Sequence, residues 1–215
     1  RYEGEGADEL VVLDVSATPE GRGTAVETVS ALREALSIPI AVGGGVREVA
    51  HAIHLLAAGA DKVAVNTAAV ERPAIIAELA ERTGRQCVVL ALDAARRMTV
   101  DGWEVVVRSG TQRTGRDALD WAETAEALGA GEILLTSWDR DGTGEGYDLE
   151  LLRAMSERVR VPIIASGGAA GAEHMIDAFD AGADAVLAAS IFHDGVYTVG
   201  EMKAALAERG VEVRR

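Results

Sequence analysis

Thirty residues from Ile38 to Thr67, IPIAVGGGVREVAHAIHLLAAGADKVAVNT, return without a gap 123 positions later as Val161 to Ser190, VPIIASGGAAGAEHMIDAFDAGADAVLAAS. Eleven positions are identical, among them Pro39/Pro162, Gly44/Gly167, Gly45/Gly168, Gly59/Gly182 and Asp61/Asp184. Each copy reads apolar strand, glycine turn, amphipathic helix, Ala-Gly-Ala-Asp break, second apolar strand and short polar tip. The tips are Asn66-Thr67 and Ala189-Ser190. This is one βαβ unit used twice. A repeat of 123 residues is too long for a solenoid unit and close to half of the roughly 250 residues of a (β/α)8 barrel. The expected fold is therefore α/β: a single TIM-barrel domain over residues 1–215, built from two similar halves.

In such a barrel every strand delivers its C-terminal end to one face. Gly43-Gly44-Gly45 and Ser166-Gly167-Gly168 would lie there, each leaving backbone N–H groups uncovered just before a helix begins. A helix N-terminus carries roughly half a positive charge. Two such turns related by a pseudo-twofold axis would suit a ligand with a phosphate at each end. A turn that needs positive φ would by itself also account for the glycines.

Read in order, Arg1 to Gly6 looks like the end of a helix, followed by a strand from about Leu10 to Asp14 and a helix from about Thr24 to Leu36. Pro73 suits the first turn of a helix that runs to about Arg82. The strand Cys87 to Asp93 opens the second half. Ala94 to Arg108 reads as an inserted hairpin turning at Asp101-Gly102. Helices near Asp117–Leu128, Leu149–Arg158 and Val199–Glu208 complete the chain, with a strand from Glu132 and a Gly/Asp-rich loop after it. Strand starts near Leu10, Pro39, Asp61, Cys87, Glu132, Pro162 and Asp184 give seven strands where a barrel needs eight. The repeat places the eighth before residue 1, so the chain is expected to lack its first strand and most of its first helix.

The formal charge of −14 disfavours nucleic acid and anionic membrane surfaces as partners. No apolar run reaches the ~18 residues of a membrane span. Cys87 is the single cysteine and is expected in the strand core, which fits a reducing, cytoplasmic setting. His51 and His174 sit at equivalent helical positions with no second ligand one turn away, and no Walker, dinucleotide or zinc spacing is present. The expectation is no metal and no cofactor.

The segments VVLDVSAT, IPIAVGGGV, GADKVAVNTAAVERP, VVLALDA, GAGEILLTSWDRDGTGEGYD, PIIASGGA and GADAVLAASIFH together resemble the cyclase subunit of imidazole glycerol phosphate synthase, of histidine biosynthesis. VNTAAV and TS-x-DRDGT-x-x-GYD are the most specific pieces. The resemblance covers essentially the whole chain. It implies a lyase-type cyclase that uses ammonia to convert a phosphoribulosyl formimino aminoimidazole carboxamide ribonucleotide into imidazole glycerol phosphate and the aminoimidazole carboxamide ribonucleotide. Such a substrate is bisphosphorylated. The ammonia implies a heterodimer with a glutaminase subunit, since this chain offers no Cys-His pair of its own.

By the same resemblance Asp93 is a catalytic aspartate, at a strand end where it could also simply cap a turn. The family's other catalytic aspartate, and its mobile lysine loop, match no residues of this chain. Asp14 and Asp141 are placed near the substrate. Gly45, Asn66 and Thr67 would serve one phosphate, and Gly142, Gly168, Ala189 and Ser190 the other. Glu9, Lys62 and Glu132 stand at strand starts, on the opposite face. In the family such a charged ring gates an ammonia passage, whereas a structural ion-pair cluster would need no such role. Two other functions are weighed: the sugar isomerase one step earlier in the pathway, which shares the two-half barrel, and a noncatalytic barrel fragment.

Overall fold

A computed structural model describes residues 1–14 and 26–214. Strands β1 (Leu10–Leu13), β2 (Ile40–Gly43), β3 (Lys62–Val65), β4 (Val88–Arg96), β7 (Glu132–Ser137), β8 (Ile163–Ser166) and β9 (Ala185–Val186) hydrogen-bond in that order, each parallel to the next. Two further strands, β5 (Trp103–Val107) and β6 (Gln112–Asp117), leave this path as an antiparallel arm on β4. The helices are α1 (Val26–Ala35), α2 (Val49–Ala57), α3 (Thr67–Glu71), α4 (Ala74–Thr83), α5 (Ala118–Leu128), α6 (Leu149–Arg158), α7 (Ala172–Asp180), α8 (Ser190–His193) and α9 (Val199–Glu208). Alternation of parallel strands with helices is that of a TIM barrel. Among the described residues the sheet is open, with β1 and β9 as its two edges.

The 123-residue repeat survives in three dimensions at the level of single hydrogen bonds. Strand β1 pairs with β2 in the register Leu10↔Ile40, and β7 pairs with β8 as Ile133↔Ile163, the same register one repeat on. The Ala-Gly-Ala-Asp break does the same work twice. Gly59 and Gly182 turn the chain at φ 114° and 102°. The carboxylates of Asp61 and Asp184 then accept the N–H of Ile40 at 2.8 Å and of Ile163 at 2.9 Å. Each aspartate thereby satisfies a donor at the start of a strand that would otherwise be left unpaired where water is scarce.

Period-two alternation sorts the strands into two faces. Outward residues such as Ile40, Val42, Val63, Leu90, Leu92, Ile133, Leu135 and Ile163 pack against Leu55, Ile75, Ile76, Leu79, Trp121, Leu151 and Met155 from the helices, and all are essentially fully buried. Each such aliphatic side chain contributes roughly 1.5–3 kcal/mol. A separate, smaller cluster of Ala64, Val89 and Leu134, flanked by Val11, Ala91, Ile164 and Leu187, lies on the inward face. The cap residues are local: Asp117 accepts from Leu119 and Asp120, Asp148 from Leu151, and Thr198 with Glu201 closes a reciprocal capping box.

Three expectations change. Cys87 is not a strand residue; it ends a 3-10 turn (Arg85–Cys87) and is half-buried, because Gly84 at φ 85° redirects the chain and the ladder begins at Val88. Asp93 does not end its strand: β4 runs on to Arg96 because Asp93 to Arg96 pair antiparallel with Val106 to Trp103. The hairpin is in fact part of a three-stranded arm, whose third strand β6, QRTGRD, has no apolar alternation to announce it. Its pairing is held from the tertiary side: Glu104, almost wholly buried, accepts from the Arg113 guanidinium at 2.6 Å and the Gly115 N–H at 2.9 Å. Of the N-terminal helix expected over Thr24–Leu36, Val26–Ala35 is present, and Thr24 lies outside the described residues.

Candidate active site

The inward alternation carries polar residues to the two ends of the sheet and apolar ones to its middle. At the C-terminal end, Asp93 of β4 stands in register with Thr136 of β7 and beside Asn66, which follows β3. The Asn66 amide nitrogen donates to the Asp93 carboxylate at 3.0 Å and to the Val106 carbonyl at 3.4 Å. Burial pushes the Asp93 carboxyl up to about 7, the neighbouring Asp141 carboxylate adds to the rise, and hydrogen bonds from Asn66 and Thr136 oppose it. A carboxyl poised near neutrality can both give and take a proton, which is the property general acid–base chemistry requires.

Around Asp93 the glycine turns have a common geometry. Gly44 and Gly45 have φ of 88° and 69°, Gly167 and Gly168 of 95° and 96°, all in the region that excludes most side chains. A Cβ on Gly44 would lie 2.2 Å from the Asp14 carbonyl oxygen, and one on Gly167 would lie 2.9 Å from that of Ser137, the residue one repeat after Asp14. The Gly168 turn leans on the loop between β7 and α6: Gly146 N–H donates to Gly168 O at 2.8 Å, and a Cβ on Gly167 would be 3.4 Å from the Asp141 backbone. Gly168 and Asp141 are thus brought together, with Gly142 at φ 74° next in the same loop. Asn66 and Ala189, equivalent in the repeat, share an unusual backbone, φ −124° ψ −87° and φ −118° ψ −69°, as the caps of the short helices α3 and α8. Thr67 sits one residue on, its hydroxyl accepting the Arg108 N–H at 3.1 Å, and Ser190 holds the matching exposed position.

The opposite end carries the charged trio. Lys62 Nζ donates to Glu9 at 2.9 Å and to Glu132 at 2.6 Å. Glu9 and Glu132 are one repeat apart, so a single lysine joins two symmetry-related carboxylates across the strand entrances. Burial pulls the ammonium down, but its bonds to Glu132 and Glu9 outweigh that and leave it raised. The two ends are therefore different in kind, one a cluster of two carboxylates sharing a single ammonium and one a carboxyl held near neutrality. Between them runs the inward apolar cluster of β1, β3, β4, β7 and β8.

Sequence reasoning alone missed Thr136 and Arg108. Thr136 could have been found from alternation, since it lies on the inward parity of Glu132. Arg108 could not: it and Ser109 adopt φ of 55° and 54° in the β5–β6 turn, which then reaches α3 through Thr67 and through an Arg108–Glu71 ion pair at 3.0 Å. Among the described residues no three His, Cys, Asp or Glu side chains converge as a metal-binding group, and no helix is long and apolar enough to cross a membrane.

A family model described as histidine biosynthesis protein matches residues 1–198. The chain is 56% identical over its whole length to the imidazole glycerol phosphate synthase subunit HisF of Pyrobaculum aerophilum, covering 84% of that protein. It is 55% identical to the protein of the same name from Metallosphaera sedula, covering 85% of it. The HisF of a Nocardioides species is 54% identical over 99% of the chain and 85% of its own length. The family match and this identity over the length of the chain show that it belongs to the histidine biosynthesis family of TIM barrels, among the cyclase subunits of imidazole glycerol phosphate synthase, HisF.

Proposed function

We propose that Asp93 is the proton-transfer group of this cyclase and that the substrate lies across the mouth with one phosphate at each half of the repeat. One phosphate is read at Gly45, Asn66 and Thr67, the other at Gly142, Gly168, Ala189 and Ser190, with Asp14 and Asp141 facing the reacting middle. The substrate class, a ribonucleotide carrying a phosphate at each end, follows from the likeness to the family and fits the paired glycine turns. Closing the imidazole ring from ammonia and a formimino carbon requires protons to leave nitrogen and reach oxygen. A carboxyl that is half ionised near neutrality serves both directions. The single observation that carries this reading is the burial of Asp93 beside Asn66 with its carboxyl at about 7.

At the other end, Glu9, Lys62 and Glu132 are proposed as the gate through which ammonia from a glutaminase subunit enters the lumen. The relatives' name calls each of them a subunit, which supports a partner. The experiment adds the protein to a purified glutaminase subunit of this enzyme class and follows glutamine hydrolysis and imidazole glycerol phosphate formation. Stimulated hydrolysis with coupled product formation is expected. A rise in neither, under conditions where ammonia alone supports turnover, overturns the partnership while leaving the cyclase reading in place.

The two-phosphate reading predicts the effect of Gly168→Val. A Cβ there would lie 2.3 Å from the Gly146 carbonyl oxygen, at a φ of 96° that valine does not adopt without strain. The loop bearing Asp141 and Gly142 must move, so phosphate binding in the second half should be lost while the Gly45 site is kept. Calorimetric titration with inorganic phosphate should drop from two sites to one. Loss of both, in a variant that remains folded, contradicts independent sites.

A further inference from the structure

We infer that the Asn66 side chain is a positioning residue for Asp93 rather than a phosphate ligand, holding that carboxylate with one amide N–H and presenting its Oδ1 to a donor on the substrate. The inference rests on the reading of Asp93 given above. The two parts of the repeat separate what Asn66 does with its backbone from what it does with its side chain. Ala189 occupies the equivalent place with the same unusual φ and ψ, so presenting backbone N–H groups at this tip does not need an asparagine. Nor is the side chain used as a helix cap: Asn66 makes no side-chain capping bond to α3. Its hydrogens go elsewhere. The Asp93 carboxylate and the Val106 carbonyl are both acceptors, at 3.0 and 3.4 Å, which fixes the amide nitrogen toward them and accounts for both of its hydrogens.

What remains is the amide oxygen, which is buried and has no hydrogen-bond partner among the described residues. A buried acceptor without a donor carries a desolvation penalty, and so is a place where a ligand N–H or O–H gains most. A phosphate dianion offers no such hydrogen. The ammonia, amide or hydroxyl hydrogens of the substrate do. From the elements packed against it, Asp93 is faced by Asn66 after β3, by the uncharged Val106 of β5, by Thr136 of β7 and by the Asp141 carboxylate of the loop after β7. Among these Asn66 and Thr136 favour the ionised carboxyl, and burial with Asp141 opposes it. Removing the Asn66 donor should therefore drive Asp93 toward its protonated form.

The test uses Asn66→Ala, which installs the residue that the second half already carries in this conformation, and Asn66→Asp, isosteric and without the amide hydrogens, which keeps the experiment readable should the alanine variant fail to fold. The Asp93 carboxyl is titrated directly by carbon-13 NMR in the free protein, assigned through Asp93→Asn. The pH dependence of ammonia-driven turnover and the affinity for inorganic phosphate are measured beside it. In Asn66→Ala the Asp93 midpoint should rise by about one unit, since a hydrogen bond to a charged group is worth about 1.5–3 kcal/mol and each unit about 1.4. Asn66→Asp should move it further in the same direction. The matching limb of the rate profile should move with it, and kcat near neutrality should fall about fivefold while phosphate affinity changes less than threefold. An unmoved midpoint with phosphate affinity reduced tenfold or more overturns the inference and makes the Asn66 side chain, and not only its backbone, a phosphate ligand. A midpoint that moves while the rate limb stays put upholds the contact with Asp93 but removes Asp93 from proton transfer, which is the failure of the preceding reading and not of this one.

Discussion

Asp93→Asn should lower ammonia-dependent turnover by a factor of ~10² to 10⁴, the usual size of a proton-transfer contribution, and should at the same time make the protein more stable at neutral pH. Both effects come from one fact. Burial, with Asp141 nearby, raises the folded carboxyl to about 7 from an ordinary value of 3.8. A carboxyl raised on folding contributes its full stability only while it is protonated in both states, below about pH 4. As pH climbs from there to about 7 the unfolded chain ionises and the folded one resists, so that contribution is lost across this window and stays lost above it. Asparagine keeps the size, still accepts from the Asn66 amide, and never ionises. The variant should therefore gain on the wild type between pH 4 and 7 and hold a lead of up to about 4 kcal/mol above it. Urea unfolding at pH 4, 6 and 8 measures this, and single-turnover assays measure the chemistry. Equal stability at pH 8 would show that the carboxyl is not held against its burial. Turnover within a few-fold of the wild type would take Asp93 out of the reaction.

Lys62→Met should destabilise the protein by roughly 1–3 kcal/mol, because it leaves Glu9 and Glu132 facing each other without their shared cation. The figure is set below that for a fully buried pair, since the three side chains retain 21%, 26% and 13% exposure and water screens part of the interaction. At this chain length the melting temperature should fall about 2–4 °C per kcal/mol. The loss should be flat from pH 6 to 9: the lysine is raised on folding, so its contribution is complete below its ordinary value of 10.5 and fades only above it. Replacing all three, with Glu9→Gln and Glu132→Gln added, should restore most of the loss, as removing a whole ion cluster costs much less than removing one member. If the cluster also gates ammonia, Lys62→Met should change glutamine-dependent turnover without changing turnover from added ammonium. A triple variant no more stable than the single one would mean that the carboxylates are not the source of the penalty.

The two expected results concern opposite ends of the same sheet, Lys62 at the start of β3 and Asp93 in β4, and the difference between them is a matter of partners. Lys62 has two carboxylates within bonding distance and is stabilised as an ion. Asp93 has an amide, a hydroxyl and a like charge, and is not. The strand edges behave differently again. Leu13, at the end of β1, is 42% exposed, while the equivalent inward positions deeper in the sheet are buried. Exposed edges can pair with another chain unless covered.

Much of this was legible in the residues. The 123-residue repeat fixed the two halves, their βαβ order and the end of the barrel where the glycine turns gather, because a period-two strand followed by a period-3.6 helix needs only local information. Strand position likewise assigned Asp93 to one end and Glu9, Lys62 and Glu132 to the other. Other features depend on register between segments distant in sequence, and no local pattern encodes them. The strand β6 exists because Glu104 holds Arg113 and Gly115. Cys87 falls short of its strand because Gly84 turns the chain first. Asn66 meets Asp93, 27 residues away, only when β3 and β4 align as Val65↔Leu90. The sequence by itself determined which residues could carry charge at each end of the barrel. Only the tertiary structure decided which of those charges would be matched, since a carboxyl's ionisation depends on the burial and neighbours that the pairing of strands imposes.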